Sequence, residues 1–299
     1  MRIDDSTRFQ SHLSSLQNHA SKALQYQTEI STGSRVNKPS DDPALYQLKD
    51  ELEQRLEGLQ TDQKSLSQQA TRLNHYDSSL GSLAENVRKA RSLVQRASNA
   101  SSDATAIAGM RNEMDRLIDG SLSLLNSEEG GRYLFAGTRV ETPPFQAQGG
   151  TSPVSAVSYQ GDDRFPGVPL PGGRSLQLPL DGRSVTQTEG VDLLNTFIDL
   201  RNQLQGSVVD AEPAMSRLVK LENGLLQRRG EVGSATSYLS QLQSHLQAQE
   251  LHTREQLAGN VETDLPQSIT NLLQNQTAQQ ATFSVISRQA KLSLVDFLR

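Results

Sequence analysis

Histidine is the residue type best suited to chemistry in this sequence, and the five present are His12, His19, His75, His245 and His252. His12 with His19, and His245 with His252, are seven residues apart, which puts each pair on one helix face. Seven residues span about 10.5 Å along a helix axis. The ligands of one zinc ion need donor atoms within about 2 Å of the metal. Neither pair can share an ion locally, so solvent-facing helix histidines are expected. The adjacent carboxylates Asp41-Asp42 and Glu128-Glu129 stand beside helix-boundary signals and read as caps in place of an acid/base couple. Gly130-Gly131 lacks the spacing and the following Lys-Ser/Thr of a phosphate loop. Cysteine is absent, which excludes disulfides and thiolate sites. No catalytic residue, cofactor or metal is expected.

The elements that would carry these residues are helices built for packing. Leu45, Leu52, Leu59, Leu66, Leu73, Leu80, Val87 and Val94 recur every seven residues, and no proline falls between Ala44 and Pro143. Such a stripe predicts one helix from Leu45 to Ala97, roughly 80 Å long, opened by an Asp42 cap with Pro43 at the first position. An elongated protein that packs lengthwise against helices is the expectation. A second series, Leu218, Leu225, Val232, Leu239 and Leu246, is partnered by Leu221, Ala235 and Leu242. Met110, Met114, Leu117, Leu124 and Leu125 predict a shorter helix stopped at Gly130-Gly131, and Leu194 with Ile198 another.

The two ends carry sparser seams. Phe9, Leu16, Ala23 and Ile30 occupy one position of the first, and Leu13, Ala20 and Gln27 the other. At the far end Ile269, Gln276, Phe283, Ala290 and Phe297 face Leu272, Gln279 and Ile286. Glutamine at such positions lowers the stability of an isolated pair and specifies register. Breaks at Gly33, Asn37 and Pro39, and again at 260–266, separate these ends from the longer helices.

Residues 132–190 hold most of the prolines and many glycines. Leu176, Leu178 and Leu180 alternate like a half-buried strand, Asp181-Gly182 is a hairpin signal, and Tyr133, Phe135, Val157 and Tyr159 suggest further strands. The predicted fold is mainly α, a long antiparallel helical rod and coiled coil from both termini with a small inserted β domain. Its segments are 1–40 and 260–299 (terminal coiled coil), 41–131 and 191–259 (rod), and 132–190 (insertion).

Only 34% of the 299 residues are hydrophobic and 4% aromatic, so thin bundles fit better than one large core. Lys and Arg number 29 against 34 Asp and Glu, interspersed without a basic run, which excludes a nucleic-acid partner. Residues 1–10 lack an apolar signal core and no stretch approaches about 18 apolar residues. No membrane contact and no cleavable signal are expected. The insertion has no His and few carboxylates, so an enzyme housed there has little to build on.

Three segments carry a resemblance: STGSRVNKPSDDPA at 31–44, GGRYLFAGTRVETPPF at 130–145 and AKLSLVDFLR at 290–299. With heptads at both termini they resemble the flagellin superfamily, and within it the hook–filament junction branch. Filament flagellins, the nearest alternative, have an Asp-Asp-Ala-Ala-Gly-like helix start where Asp41-Asp42-Pro43-Ala44 stands here. Another type III secreted coiled-coil protein would share the heptads without both VNKPSDDPA and YLFAGT.

The resemblance implies a flagellar structural protein outside the cell, exported by a type III route without a cleavable signal. Its implied partners are copies of itself in a ring-like oligomer, the first hook-associated protein, flagellin, and an export chaperone near residues 260–299. The expected subunit interface is Phe9, Leu13, Leu16, Ile30, Ile269, Leu272, Phe283, Ile286 and Phe297. Gly33, Asn37, Pro39 and Asp42 form the expected interdomain hinge.

Overall fold

A computed structural model of the chain describes residues 2–99, 104–148, 153–164, 167–204 and 211–297. Helices α1 (Arg2–Thr32), α2 (Pro43–Asn99) and α3 (Ala104–Leu125) come first. Eight short strands follow as four separate antiparallel hairpins: β1 (Glu128–Glu129) with β2 (Arg132–Tyr133), and β3 (Phe145–Gln148) with β4 (Ala156–Tyr159). The others are β5 (Val168–Leu170) with β6 (Arg174–Leu176), and β7 (Gln187–Thr188) with β8 (Val191–Asp192). The one-turn helix α4 (Gly182–Thr186) precedes β7, and α5 (Leu193–Gln203), α6 (Ala211–Val261) and α7 (Leu265–Phe297) complete the order. The chain is mainly α, with long helices and small strand pairs, as its periodicities predict. It divides into two compact units, Met1–Gln60 with Ala248–Arg299, and Thr61–Gln247.

Asp42 opens α2 as expected: its Oδ1 accepts the N–H groups of Ala44 and Leu45, each at 3.0 Å. Pro43 fills the first position, where no N–H is needed. Every member of the leucine stripe from Leu52 to Val94 is buried, and Leu45 is half-buried. The second series, Leu218 to Leu246, is buried throughout on α6, together with Leu221 and Ala235. Each such side chain contributes about 1.5–3 kcal/mol by leaving water.

In the larger unit ion pairs fix the sense of packing. Arg229 holds the Asp77 carboxylate through two bonds of 3.0 Å, and both Arg88 and Arg91 reach Glu222. Positions rise on α2 as they fall on α6, so the two run antiparallel. α3 folds back on α2 in the same way, through Asn86 to Ser121 at 3.1 Å and Arg96 to Glu113 at 2.9 Å. Buried Arg201 of α5 joins Asp115 of α3 at 3.2 Å and the Val154 carbonyl at 2.7 Å.

Two turn signals do different work from that predicted. α3 ends at Leu125, and Gly130-Gly131, with φ of 58° and 76°, forms the two-residue loop between β1 and β2. A helix stop needs one left-handed residue, whereas a tight hairpin of this handedness needs two in a row. Asp181-Gly182 makes no hairpin; Asp181 caps α4 by accepting the Ser184 N–H at 2.9 Å. Leu178 and Leu180 are buried outside any strand, and Phe135 lies in a turn after β2, its ring edge-on to Tyr76 at 5.3 Å.

Tyr159 of β4 ties this region together. Its hydroxyl bonds the carbonyls of Asp162 at 2.8 Å and Phe135 at 3.2 Å and accepts the Gly182 N–H at 3.3 Å. Burial pushes its pKa up to about 12, and burial also raises that of Tyr76. A raised phenol pKa means the folded state holds its proton after the unfolded chain, near pH ~10, has lost it. The stability each supplies is therefore complete below about pH 10 and is lost at higher pH, for Tyr159 as pH rises toward 12. Denaturant midpoints measured from pH 8 to 12 should fall along the alkaline limb. Tyr159→Phe should flatten that fall, and an unchanged slope would contradict the assignment.

Candidate assembly surface

Among the described residues no group of three or more His, Asp or Glu side chains is placed to hold a metal ion, and no helix is long and apolar enough to cross a membrane. What the smaller unit offers is a surface, made by the chain's own two ends.

Local chemistry sets where these helices stop and start. Gly33, at φ 70°, ends α1 and donates its N–H to the Glu29 carbonyl at 2.8 Å. Asp264 caps α7 by accepting the Gln267 N–H at 3.1 Å. The strand-like segment after α1 is bonded to the link before α7: Arg35 N–H to the Val261 carbonyl and Thr263 N–H to the Gly33 carbonyl, both 2.9 Å. Further along, the Asp41 carboxylate accepts the N–H groups of Asn37 and Lys38, and Pro39 sits in a turn closed by Asp41 N–H to Lys38 O at 3.0 Å. Lys49 reaches back to the Val36 carbonyl at 3.3 Å. Gly33, Asn37, Pro39 and Asp42 thus lie in a connector tied by hydrogen bonds at both of its ends.

α1 and α7 pack antiparallel through polar contacts. His19 Nδ1 and Asn275 Oδ1 are 2.7 Å apart, and Asn275 Nδ2 donates to the His19 carbonyl at 2.6 Å. One helical stretch away, buried Ser268 bonds buried Glu29 at 3.4 Å. The half-buried positions of α1 are His12, Ser15, Leu16, His19, Ala23, Tyr26, Thr28 and Ile30 among the described residues. On α7 Ser268 and Asn275 are buried, and Asn271, Leu272, Ala278, Gln279, Thr282 and Ile286 half-buried.

This seam differs from the predicted one by a single residue on each helix. Leu16, Ala23, Ile30, Leu272 and Ile286 are half-buried at their heptad positions within the chain, where Leu16, Ile30, Leu272 and Ile286 were expected to meet neighbouring subunits. His12, His19 and Tyr26 stand where Leu13, Ala20 and Gln27 were predicted, and Ser268, Asn275 and Thr282 where Ile269, Gln276 and Phe283 were. The displaced apolar side chains face solvent, Leu13 being 46% exposed, Ile269 45% and Phe283 56%, and Phe9, one heptad before Leu16, is 55% exposed as well. Leu24 and Leu273, which no heptad position singled out, are more exposed still. Phe297 lies at the end of α7, and its side chain falls outside the described residues.

Both sets of outward side chains share one side of the pair. A step of one residue turns a helix face by about 100°, and on antiparallel partners the same step turns both faces the same way. The groove on the other side bears this out. Gln25 and Glu29 of α1 and Gln267 and Asn271 of α7, each one residue before a seam position, line a single polar groove of about 590 Å³. The residues one position after the seam, including Leu13, Leu24, Ile269, Leu273 and Phe283, make up the opposite, apolar flank. Val285, also exposed, belongs to the polar side.

The register adds a second regularity. With His19 level with Asn275, Phe283 stands between Phe9 and Leu13, and Ile269 within one residue of Leu24. Two apolar clusters result, about 20 Å apart along the helices, with Ala20 and Gln276 between them. An exposed apolar surface of this kind marks a site of association.

Comparison with known proteins bears on what associates there. The profile of the bacterial flagellin N-terminal helical region matches residues 6–140. Flagellar hook-associated protein 3 of Salmonella typhimurium is 26% identical over 319 aligned positions, covering 100% of both chains. The Escherichia coli protein of that name is also 26% identical, covering 98% of each. Among solved structures, a putative flagellar hook-associated protein from Vibrio parahaemolyticus superposes with a TM-score of 0.66 at 18% identity, over 73% of this chain and 98% of its own. Bacillus cereus FlgL follows at 0.56 and 20% identity, over 68% and 96%. At these identities the solved structures speak for the fold.

Proposed function

We propose that this chain, similar along its whole length to hook-associated protein 3, belongs to the flagellin superfamily and is the structural junction between hook and filament. It is a component of the bacterial flagellum and works by mechanical adaptation, without turnover. The observation that carries this reading is the apolar flank on α1 and α7, which exposes large side chains on the two ends of the chain and nowhere buries them within it.

The flank packs against the terminal helices of neighbouring copies. Phe9, Leu13, Ile269 and Phe283 supply the contact. Leu16, Ile30, Leu272 and Ile286 sit in the intrachain seam that sets the angle at which the flank is presented. Each apolar side chain buried adds about 1.5–3 kcal/mol, so a contact repeated around a ring is strong even where one pair is weak. The connector at Gly33, Asn37, Pro39 and Asp42 is the hinge between a terminal coiled-coil domain (1–40 and 260–299) and a helical rod (41–131 and 191–259), from which 132–190 forms an insertion. Hook-associated protein on one side, flagellin on the other and an export chaperone beforehand are the partners. Export proceeds by the flagellar type III route, without a cleavable signal.

Deleting the gene and imaging the cells tests the reading. Hooks without filaments, with flagellin shed into the medium and rescue by the intact gene, are expected. Normal filaments in the deletion strain would overturn it.

A further inference from the structure

The apolar flank faces one way only, and that constrains what can cover it. Two copies meeting flank to flank would form a closed pair, because like surfaces related by a two-fold axis leave nothing for a third. An assembly that continues around a ring must join the flank of one copy to a different surface of the next.

A second property of the terminal pair identifies that surface. From Leu265 through Ser287 α7 has no charged residue, and from Phe9 through Thr28 α1 has one, Lys22. Residues 49–57 of α2, in the same unit, carry Lys49, Asp50, Glu51, Glu53, Arg55 and Glu57 close together. Solubility therefore does not account for the depletion. Charge is costly to take out of water, whereas the hydroxyls and amides found here cost less and find partners more easily. Interfaces are depleted of charge at their centres for the same reason. Apart from Glu29, which is buried against Ser268, the polar side of the pair shares the depletion: Ser11, Ser15 and Asn18 on α1 and Gln274 and Ala278 on α7 are small or neutral, and Lys22 can lift its charged head clear on its flexible stem.

We propose that the apolar flank of one copy packs on the charge-poor polar flank of the next copy of this chain, a head-to-back contact that propagates. This rests on the reading that copies assemble through their terminal helices. The apolar clusters supply the attraction, and small side chains at Ser11, Ser15 and Ala278 let the neighbour approach closely.

Charges introduced on the polar flank test it in otherwise intact protein. Asn18 and Gln274 are solvent-exposed in the single chain, so Asn18→Glu and Gln274→Lys should leave its unfolding midpoint unchanged. Incorporation into flagella, read as the amount in purified hook and filament preparations, should fall roughly a hundredfold or more. Thr277→Lys, on the face turned away from both the seam and the polar flank, should incorporate normally. If Asn18→Glu and Gln274→Lys incorporate like the parent while Phe283→Asp does not, the head-to-back contact is wrong and assembly through the terminal helices stands. If Phe283→Asp also incorporates, assembly through these helices falls as well. Equal exclusion of Thr277→Lys would overturn the assignment to the polar flank.

Discussion

Phe283→Asp should leave the isolated chain folded and remove it from flagella. Its side chain is 56% exposed and lies on the flank that the α1–α7 seam does not use. Surface replacements of this kind change stability by no more than about 0.5 kcal/mol, so thermal and denaturant unfolding should match the parent. In the proposed assembly the same change deletes a buried ring worth about 1.5–3 kcal/mol and puts an unpaired carboxylate in its place. Leaving a buried charge uncompensated costs a further few kcal/mol, on the order of 3–5. With the proposed contact made by each copy, the loss would recur around the structure, and flagellin should be released into the medium. Ile269→Asp, 45% exposed in the other apolar cluster, should behave alike. Ile30→Asp is the contrasting case: Ile30 is half-buried in the intrachain seam, so the isolated pair itself should weaken. Full incorporation of Phe283→Asp, counted by electron microscopy of filaments and by blotting of shed flagellin, would defeat the proposed interface.

The contrast between the inner and terminal helices shows what periodicity can and cannot locate. On α2 and α6 leucine repeats at the seam itself, so the stripe from Leu52 to Val94 names the buried face residue by residue. On α1 and α7 the seam is held by hydrogen-bonded polar groups, His19 with Asn275 and Glu29 with Ser268. A search for apolar repeats there finds the neighbouring stripe and takes it for the seam. The one-residue error is thus itself informative: it separates what the chain buries alone from what it keeps exposed. Gln276 and Gln27, odd as core residues, are ordinary on that exposed flank. Turn chemistry misleads for a related reason. Asp181-Gly182 fits a hairpin or a helix start equally, and the bond that the Ser184 N–H donates to the Asp181 carboxylate decides for the helix. The connector was legible from Gly33, Pro39 and Asp42, but its pairing with 261–263 was not, because main-chain bonds between distant segments leave no trace in side-chain pattern.

Tyr76→Ala should destabilise the larger unit by about 3–5 kcal/mol, the range for removing a large buried ring. Tyr76 lies on α2 with no solvent exposure, its ring meets Phe135 edge-on, and its hydroxyl donates to the Leu134 carbonyl. Those two partners belong to the turn that follows the first hairpin, so one α2 side chain anchors the entry to 132–190. Removing the ring leaves Phe135, itself fully buried, facing a void that the rigid α2 backbone cannot close. Tyr76→Phe separates the two contributions. It keeps the ring contact and strands the Leu134 carbonyl, at a cost of about 1–3 kcal/mol. Urea unfolding should therefore rank the chains parent, Tyr76→Phe, Tyr76→Ala, with the larger gap at the second step. Because Tyr76→Phe also deletes a phenol whose pKa burial raises, its loss relative to the parent should shrink above about pH 10, where the parent begins to lose the same stabilisation. A Tyr76→Ala chain as stable as the parent would show that the turn at 134–136 is held elsewhere. Equal losses for the alanine and phenylalanine variants would assign the anchor to the hydroxyl alone.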